Sequence, residues 1–353
     1  MSRAVASAAG GVAAAADYRA AHHDAVLAEP FAVAALRVTG KDAVDLLHRL
    51  STNDIKAIRE GGGAPTVFTT AKGRILALVT VHRLPGELQL LVETDRAEAL
   101  REWIDRYTFR EEVQVEDRRA SHTTLAVCGP QALAIVAAVF PQAAGLERHG
   151  AAEVGLNGTA ALLVRTFPLA GDAWLLNLPH GAVEAARSRL LAAAGGRLQV
   201  ASPETIEALR LEAGMPLAGR ELTEERNPWE ARLDEAISLS KGCYVGQEVI
   251  ARLNTYRKVA RLLVRLESEG TAAAGAAQAM PFPEGAQVSA AGESIGVVTS
   301  SVVLPEGASR VLALAYVRDE DAVPGKKVMV ATPAGPREAI VRDPRSASPE
   351  AGR

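Results

Sequence analysis

A chain of 353 residues is longer than one compact core usually organises and points to two or three domains. Its net charge of −3 argues against a dedicated nucleic-acid binder, whose domains are usually basic. Hydrophobic content of 48% allows a sizeable core, yet no apolar run reaches the length of a membrane span. The two cysteines, Cys128 and Cys243, lie far apart and make no disulfide scaffold, so a reducing cytoplasm is the expected location.

Residues 1–25 are rich in alanine and glycine and read as a disordered or weakly helical lead-in. VAALRVTGKDAVDLLHRLSTNDI (33–55) opens as a strand ending at Gly40. Val44, Leu47 and Leu50 then recur at helical spacing. TVFTTAKGRILALVTVHRL (66–84) reads as a hairpin turning at Lys72-Gly73, and ELQLLVETD (87–95) as a third strand. RAEALREWIDRYTF (96–109) is an amphipathic helix, and VQVEDRR (113–119) is again a strand. TTLAVCG (123–129) reads as a buried strand that places Cys128 in the core, with a helix after Pro130. AALLVRTF (160–167) and AWLLNLP (173–179) form a strand pair around Pro168 and Gly171. Residues 181–196 form a helix closed by Gly195-Gly196, and 203–214 another with proline in its first turn. From about 259 the texture changes to short β-like runs between Gly and Pro signals, which predicts a separate all-β domain. Its opening basic run, Arg257, Lys258, Arg261 and Arg265, reads as a solvated strand edge. The division is therefore 26–256 as α+β with antiparallel sheets, 257–340 as the β domain, and 341–353 as a disordered tail.

The octapeptide KGCYVGQE (241–248) places a thiol between two glycines, two residues after a lysine. Positive charge favours the reactive thiolate, and Lys241 can supply it. A helix beginning after Gly246 would add the positive end of its dipole, with Val249, Ile250 and Leu253 on one face and Glu248 in the first turn. Against this, a single cysteine is usually inert packing. Two cysteines cannot furnish the four ligands that a cluster or structural zinc takes, so no resident metal is expected.

KGCYVGQE resembles the signature of the YgfZ-type proteins, a branch of the folate-binding fold shared with the glycine cleavage T-protein. LRLEAGMPLAGREL (209–222), NPWEARLDEAISLSKGCYVGQEVIAR (227–252), IGVVTSS (295–301) and LALAYV (312–317) carry the same resemblance, over roughly 33–335. It implies an α+β protein with the three-domain ring-like aminomethyltransferase fold: two interleaved α+β units and a C-terminal β-barrel around a central opening. It implies tetrahydrofolate or a one-carbon derivative as cofactor. For the YgfZ branch it further implies a role in iron–sulfur cluster assembly or repair, with transient contacts to assembly or client proteins, including tRNA-modifying enzymes.

A pterin takes a carboxylate at its amino-pyrimidine edge and apolar faces, and the glutamate tail takes an arginine. The resemblance assigns Asp172 to the pterin and Arg210 to a carboxylate. It sets Tyr107, Trp174, Tyr244, Gln247 and Glu248 along the folate site, and makes Cys243 the reactive residue assisted by Lys241. One departure stands out. The T-protein carries carboxylates just after its hairpin turn, whereas Gly73-Arg74-Ile75-Leu76-Ala77-Leu78 has none. A neutral side chain cannot move a proton there, which points away from glycine cleavage. Three functions remain open: a folate-binding accessory protein for iron–sulfur clusters, a folate-dependent one-carbon (aminomethyl or methyl) transferase, and a binding scaffold without chemistry of its own.

Overall fold

The computed structural model describes residues 15–256, 259–268, 280–305 and 310–345. Its helices are α1 (Ala15–His23), α2 (Ala43–Leu50), α3 (Ala97–Arg106), α4 (Ala132–Val139), α5 (Val183–Ala194), α6 (Pro203–Glu212) and α7 (Gln247–Tyr256). Among the described residues no helix is long and apolar enough to cross a membrane.

Three sheets organise the described residues. The first has five strands in the order Gly63–Thr69, Ile75–Leu84, Glu87–Glu93, Val33–Thr39, Gln114–Asp117. Alternation from Ile75 to Val81 turns Ala77, Val79 and Val81 onto α2 and α3, where they pack with Leu46, Leu47, Leu100 and Ile104. The opposite face looks toward the centre of the molecule. The second sheet has six strands, in the order Leu198–Val200, Ala25–Ala28, His122–Cys128, Ala173–Pro179, Thr159–Arg165, Ala151–Leu156. It begins before the first sheet and resumes after it, so the two are interleaved along the chain. One face packs on α4 and α5 around Val127, Trp174 and Leu190. The third is a closed barrel of six strands between Arg261 and Arg342, filled by Val264, Leu266, Ala313, Ala315 and Val341.

The inner faces of all three meet in one shared core. Ala35 and Leu91 from the first sheet, Val26 and Ala126 from the second, and Leu312, Leu314 and Tyr316 from the barrel close around Ala208, Leu209 and Leu211 of α6. The result is an α+β protein with a C-terminal β-barrel, as the sequence implied.

Several expectations change. Of the two readings of the lead-in, disordered or weakly helical, residues 15–23 take the helical one, and residues 1–14 lie outside the described residues: α1 buries Tyr18, Ala20 and Ala21, and Asp17 Oδ2 accepts the amide of Ser202 at 2.6 Å. The strands Ala25–Ala28, Ala151–Leu156 and Leu198–Val200 escaped the sequence reading because runs of three to six residues carry little periodicity. The expected tail is part of the fold up to residue 345: Arg337–Arg342 closes the barrel, and the Pro344 carbonyl accepts from Arg265 at 3.3 Å. Residues 346–353 and most of the 268–285 loop lie outside the described residues. Arg265 is no solvated edge either. It is fully buried and donates to the Glu212 carbonyl at 2.8 Å, while Arg257 and Lys258 lie outside the described residues.

Candidate functional site

The octapeptide is clamped between the end of α2 and the hairpin tip of the first sheet. α2 ends at Ser51 in extended conformation, with no left-handed cap to satisfy its last carbonyls. Lys241 fills that need. Its ammonium donates to the carbonyls of His48, Ser51 (2.6 Å) and Asn53 (2.8 Å), at the negative end of the helix dipole. The Val245 amide also holds α2, donating to Arg49 O at 3.1 Å, and on the hairpin side Thr69 Oγ1 donates to the Val245 carbonyl at 2.8 Å. Gly246 has φ +84°, and a Cβ there would lie 2.6 Å from Thr70 O, so only glycine lets the start of α7 seat on the hairpin. Gly242 and Cys243 are left exposed.

This geometry corrects the role of Lys241. All three of its donors are engaged by backbone carbonyls, so it anchors the loop rather than serving as a free cation for the thiol. Burial lowers its pKa to about 8, which leaves it charged at neutral pH. Tyr244 is likewise packing: its ring lies 5.0 Å from the Lys241 ammonium, it clusters with Ile237, Ile250 and Trp229, and burial pushes its phenol up to about 12. Gln247 opens α7, and Glu248, five residues after Cys243, is exposed in its first turn.

Arg210 has a different employment from the one the resemblance assigned. It is buried, with Nε and Nη2 on Glu207 at 2.8 and 2.6 Å and Nη1 on Glu221 at 3.1 Å and Met215 O at 2.6 Å. A guanidinium so engaged cannot also clamp a ligand carboxylate. Glu207 also takes Arg220 at 3.0 Å, and Glu221 takes Ser300 Oγ at 2.6 Å and the Leu217 amide at 2.8 Å. Tyr316 donates its hydroxyl to the Glu221 carbonyl at 2.9 Å. Burial acts to lower the Arg210 pKa, but Glu221 and Glu207 more than reverse it, so the charge is fixed.

Glu93 completes this network from the first sheet. Both its oxygens accept the Ala218 amide, at 2.8 and 3.0 Å. Burial pushes its carboxyl up to about 7, against the opposing pull of that amide, Arg210 and Arg96. The sequence reading missed Glu93, Glu207 and Glu221. The available signal was a carboxylate closing an apolar strand, LLVE, and another inside a helix that is buried on nearly all sides.

The remaining expected contacts scatter. Asp172 pairs with Arg165 at 2.7 Å across the turn between two strands of the second sheet. Trp174 is 1% exposed and faces α4 and α5, which makes it core rather than a pocket wall. Tyr107 caps α3, with its ring 5.0 Å from Trp103 on the helical side of the first sheet. Cys128 is buried in the shared core, as expected, and desolvation pushes its thiol up to about 12. Among the described residues no group of three His, Cys, Asp or Glu could hold a metal ion.

Comparison with known proteins agrees with this architecture. Residues 9–241 match the family model of the GCVT N-terminal domain. An aminomethyltransferase of Herpetosiphon aurantiacus is 28% identical over 332 residues, spanning 93% of this chain and 89% of that protein. One of Rubrobacter xylanophilus is 31% identical over 284 residues, covering 80% and 73%. A chloroplastic protein of Arabidopsis thaliana, provisionally named a transferase, is 28% identical over 303 residues, and this chain spans 66% of its length. The crystal structure of glycine cleavage system aminomethyltransferase T from Bartonella henselae superposes with a TM-score of 0.79 at 23% identity, over 94% of this chain and 89% of that one. By its match across both interleaved sheets, and by its likeness to named aminomethyltransferases, the chain belongs to the GCVT family and has the aminomethyltransferase-like fold.

Proposed function

We propose that this protein binds tetrahydrofolate where its three sheets meet and takes part in folate-dependent one-carbon transfer. The observation that carries this reading is the family match over residues 9–241, which spans both interleaved sheets and α6. The seam between the first sheet and the segment after α6 has the chemistry a pterin takes. Leu78, Met215 and Leu217 are only partly covered and offer apolar surface, and Glu93 offers a carboxyl. The residues present therefore fit the ligand. Bound tetrahydrofolate would supply the one-carbon carrier nitrogens. The chain's own part is to bind the ring system, exclude water and hold a proton at Glu93.

A second reading is favoured by one specific observation. Cys243 is exposed at the head of α7 in the KGCYVGQE motif, while Ala77 and Leu78 stand where the T-protein has carboxylates. That combination fits a YgfZ-type accessory protein for iron–sulfur cluster assembly or repair, with the thiol as its working group.

Two arms separate the readings. Single-turnover assays with methylene-tetrahydrofolate and an amine donor compare wild type with Cys243→Ala. One-carbon transfer predicts turnover that survives the substitution. The accessory reading predicts no turnover, together with failure of Cys243→Ala to restore cluster enzymes in a deletion strain. Full restoration by Cys243→Ala would remove the accessory reading.

A further inference from the structure

The outer side of α3 carries a stripe of side chains turned to solvent. Ala97, Leu100 and Ile104 face the core, which leaves Ala99, Glu102 and Arg106 along the opposite ridge. Trp103 and Tyr107 flank that ridge, partly buried, with rings 5.0 Å apart. Just past the end of the helix stands Phe109, 82% exposed. A single exposed aromatic side chain is ordinary, but one that extends an aromatic and charged stripe marks a contact surface. The turn that presents it is held by hydrogen bonds. Glu111 Oε2 accepts the amides of Phe109 (2.9 Å) and Arg110 (3.0 Å), and Oε1 takes Arg49 of α2 at 2.9 Å. The Glu112 amide donates to Asp42 at 2.8 Å. Phe109 is thus held out in solvent by a fixed backbone, which lowers the ordering cost of any contact it makes.

The charges of the helix fall into two groups. On one flank Arg101 is shared by Glu98 at 2.6 Å and Asp105 at 3.0 Å, a closed set. On the ridge itself Glu102 and Arg106 stand at i, i+4, a spacing that lets a helix pair them. They do not pair. Arg106 lies over the Trp103 ring at 5.4 Å, and among the described residues Glu102, Arg106 and Arg110 form no ion pair. The order along the ridge is symmetric about the level of residue 104. Glu102 and Arg106 are equally far from it on either side, and so are Ala99 and Phe109. Two such helices laid antiparallel across that level bring each Glu102 to Arg106 of the second copy and each Phe109 over the small Ala99 of the other. Their macrodipoles then run in opposite directions, which also favours the pair.

We infer that this face of α3 is a self-association surface whose occupant is a second copy of the chain, the two helices crossing antiparallel about a two-fold axis. A face with a protruding ring, a small residue to receive it, and unpaired charges of both signs is complementary to itself. A uniformly acidic partner would meet Glu102 on the ridge as a repulsion, and a uniformly basic one would meet Arg106. One helix face and its turn offer a small area, so the contact is weak and reversible and forms as the protein is concentrated. It uses no residue of the seam proposed for folate, and stands or falls apart from that reading.

Sedimentation equilibrium of the full chain, from about 1 to about 200 µM, tests this. The wild type is expected to pass from monomer to dimer within that range, and added salt shifts the midpoint upward. Arg106→Glu sets like charges against each other twice and weakens the dimer roughly tenfold or more, as does Glu102→Arg. The combined Glu102→Arg, Arg106→Glu chain restores the pairs with their signs exchanged and recovers dimerisation. Phe109→Ser weakens the dimer by a similar factor. All three positions are exposed, and circular dichroism checks that each variant is folded. If a variant does not fold, the wild-type result and the exchanged pair decide. A wild type that stays monomeric to about 200 µM overturns the inference, whatever other protein the same face captures. A dimer that Arg106→Glu and Phe109→Ser leave unchanged overturns the assignment to this face, as does failure of the exchanged pair to recover it.

Discussion

Lys241 shows how far a residue's role can depart from its motif. Read in sequence, a lysine two positions before a cysteine suggests a cation for a thiolate. In the fold its three N–H groups converge on carbonyls of residues 48, 51 and 53, and the motif's lysine caps a helix that lies nearly two hundred residues earlier. No sequence signal announces this, because the partners are backbone atoms. Lys241→Met leaves those buried acceptors unpaired and is expected to destabilise the protein by about 3 kcal/mol in urea unfolding. Lys241→Arg recovers little, since a planar guanidinium cannot point three donors at one convergent set of carbonyls. Wild-type stability in Lys241→Met would contradict the anchoring role.

Among the elements, the long hairpin of the first sheet was legible because its flanks are β-rich and its turn carries Lys72-Gly73. What the sequence hid is the contact between this hairpin and the second sheet. His82 is fully buried on the hairpin, and its Nδ1–H donates to the His149 carbonyl at 2.9 Å. The carbonyl can only accept, so the proton sits on Nδ1. Gly63 allows this approach, since a Cβ there would lie 2.3 Å from His149 O and 2.5 Å from His82 Nδ1. Burial lowers both histidines to about 4. Their folded pKa values lie below the unfolded value of 6.5, so their contribution is fully present above pH 6.5 and is lost as pH falls toward 4. His82 alone accounts for roughly 3 kcal/mol over that window. Urea unfolding between pH 7 and 4.5 checks it: the wild type loses stability steeply, and His82→Gln flattens the curve. Equal pH dependence in both would contradict it.

At the scale of the whole molecule, the change of texture near residue 259 marked the barrel, whose first strand begins at Arg261. The octapeptide and the Leu-Arg-x-Glu-Ala-Gly segment pointed to the fold. The junction of the three sheets was not legible, because it is built from charges that look solvated in sequence. Arg210 reads as the polar side of an amphipathic helix, yet α6 is surrounded by the shared core and its arginine ties Glu207 to Glu221, which in turn bonds Ser300 of the barrel. Arg210→Met leaves two buried carboxylates without that partner. A loss of about 3–5 kcal/mol is expected in chemical or calorimetric unfolding. A loss below about 0.5 kcal/mol, the range of neutral surface substitutions, would show that the network does not hold the units together.

Calorimetric titration of the wild-type chain with tetrahydrofolate at neutral pH tests the central claim most directly. Saturable binding of one tetrahydrofolate per chain, weakened by Glu93→Gln, is the predicted result. A flat titration with a folded wild-type protein would contradict it.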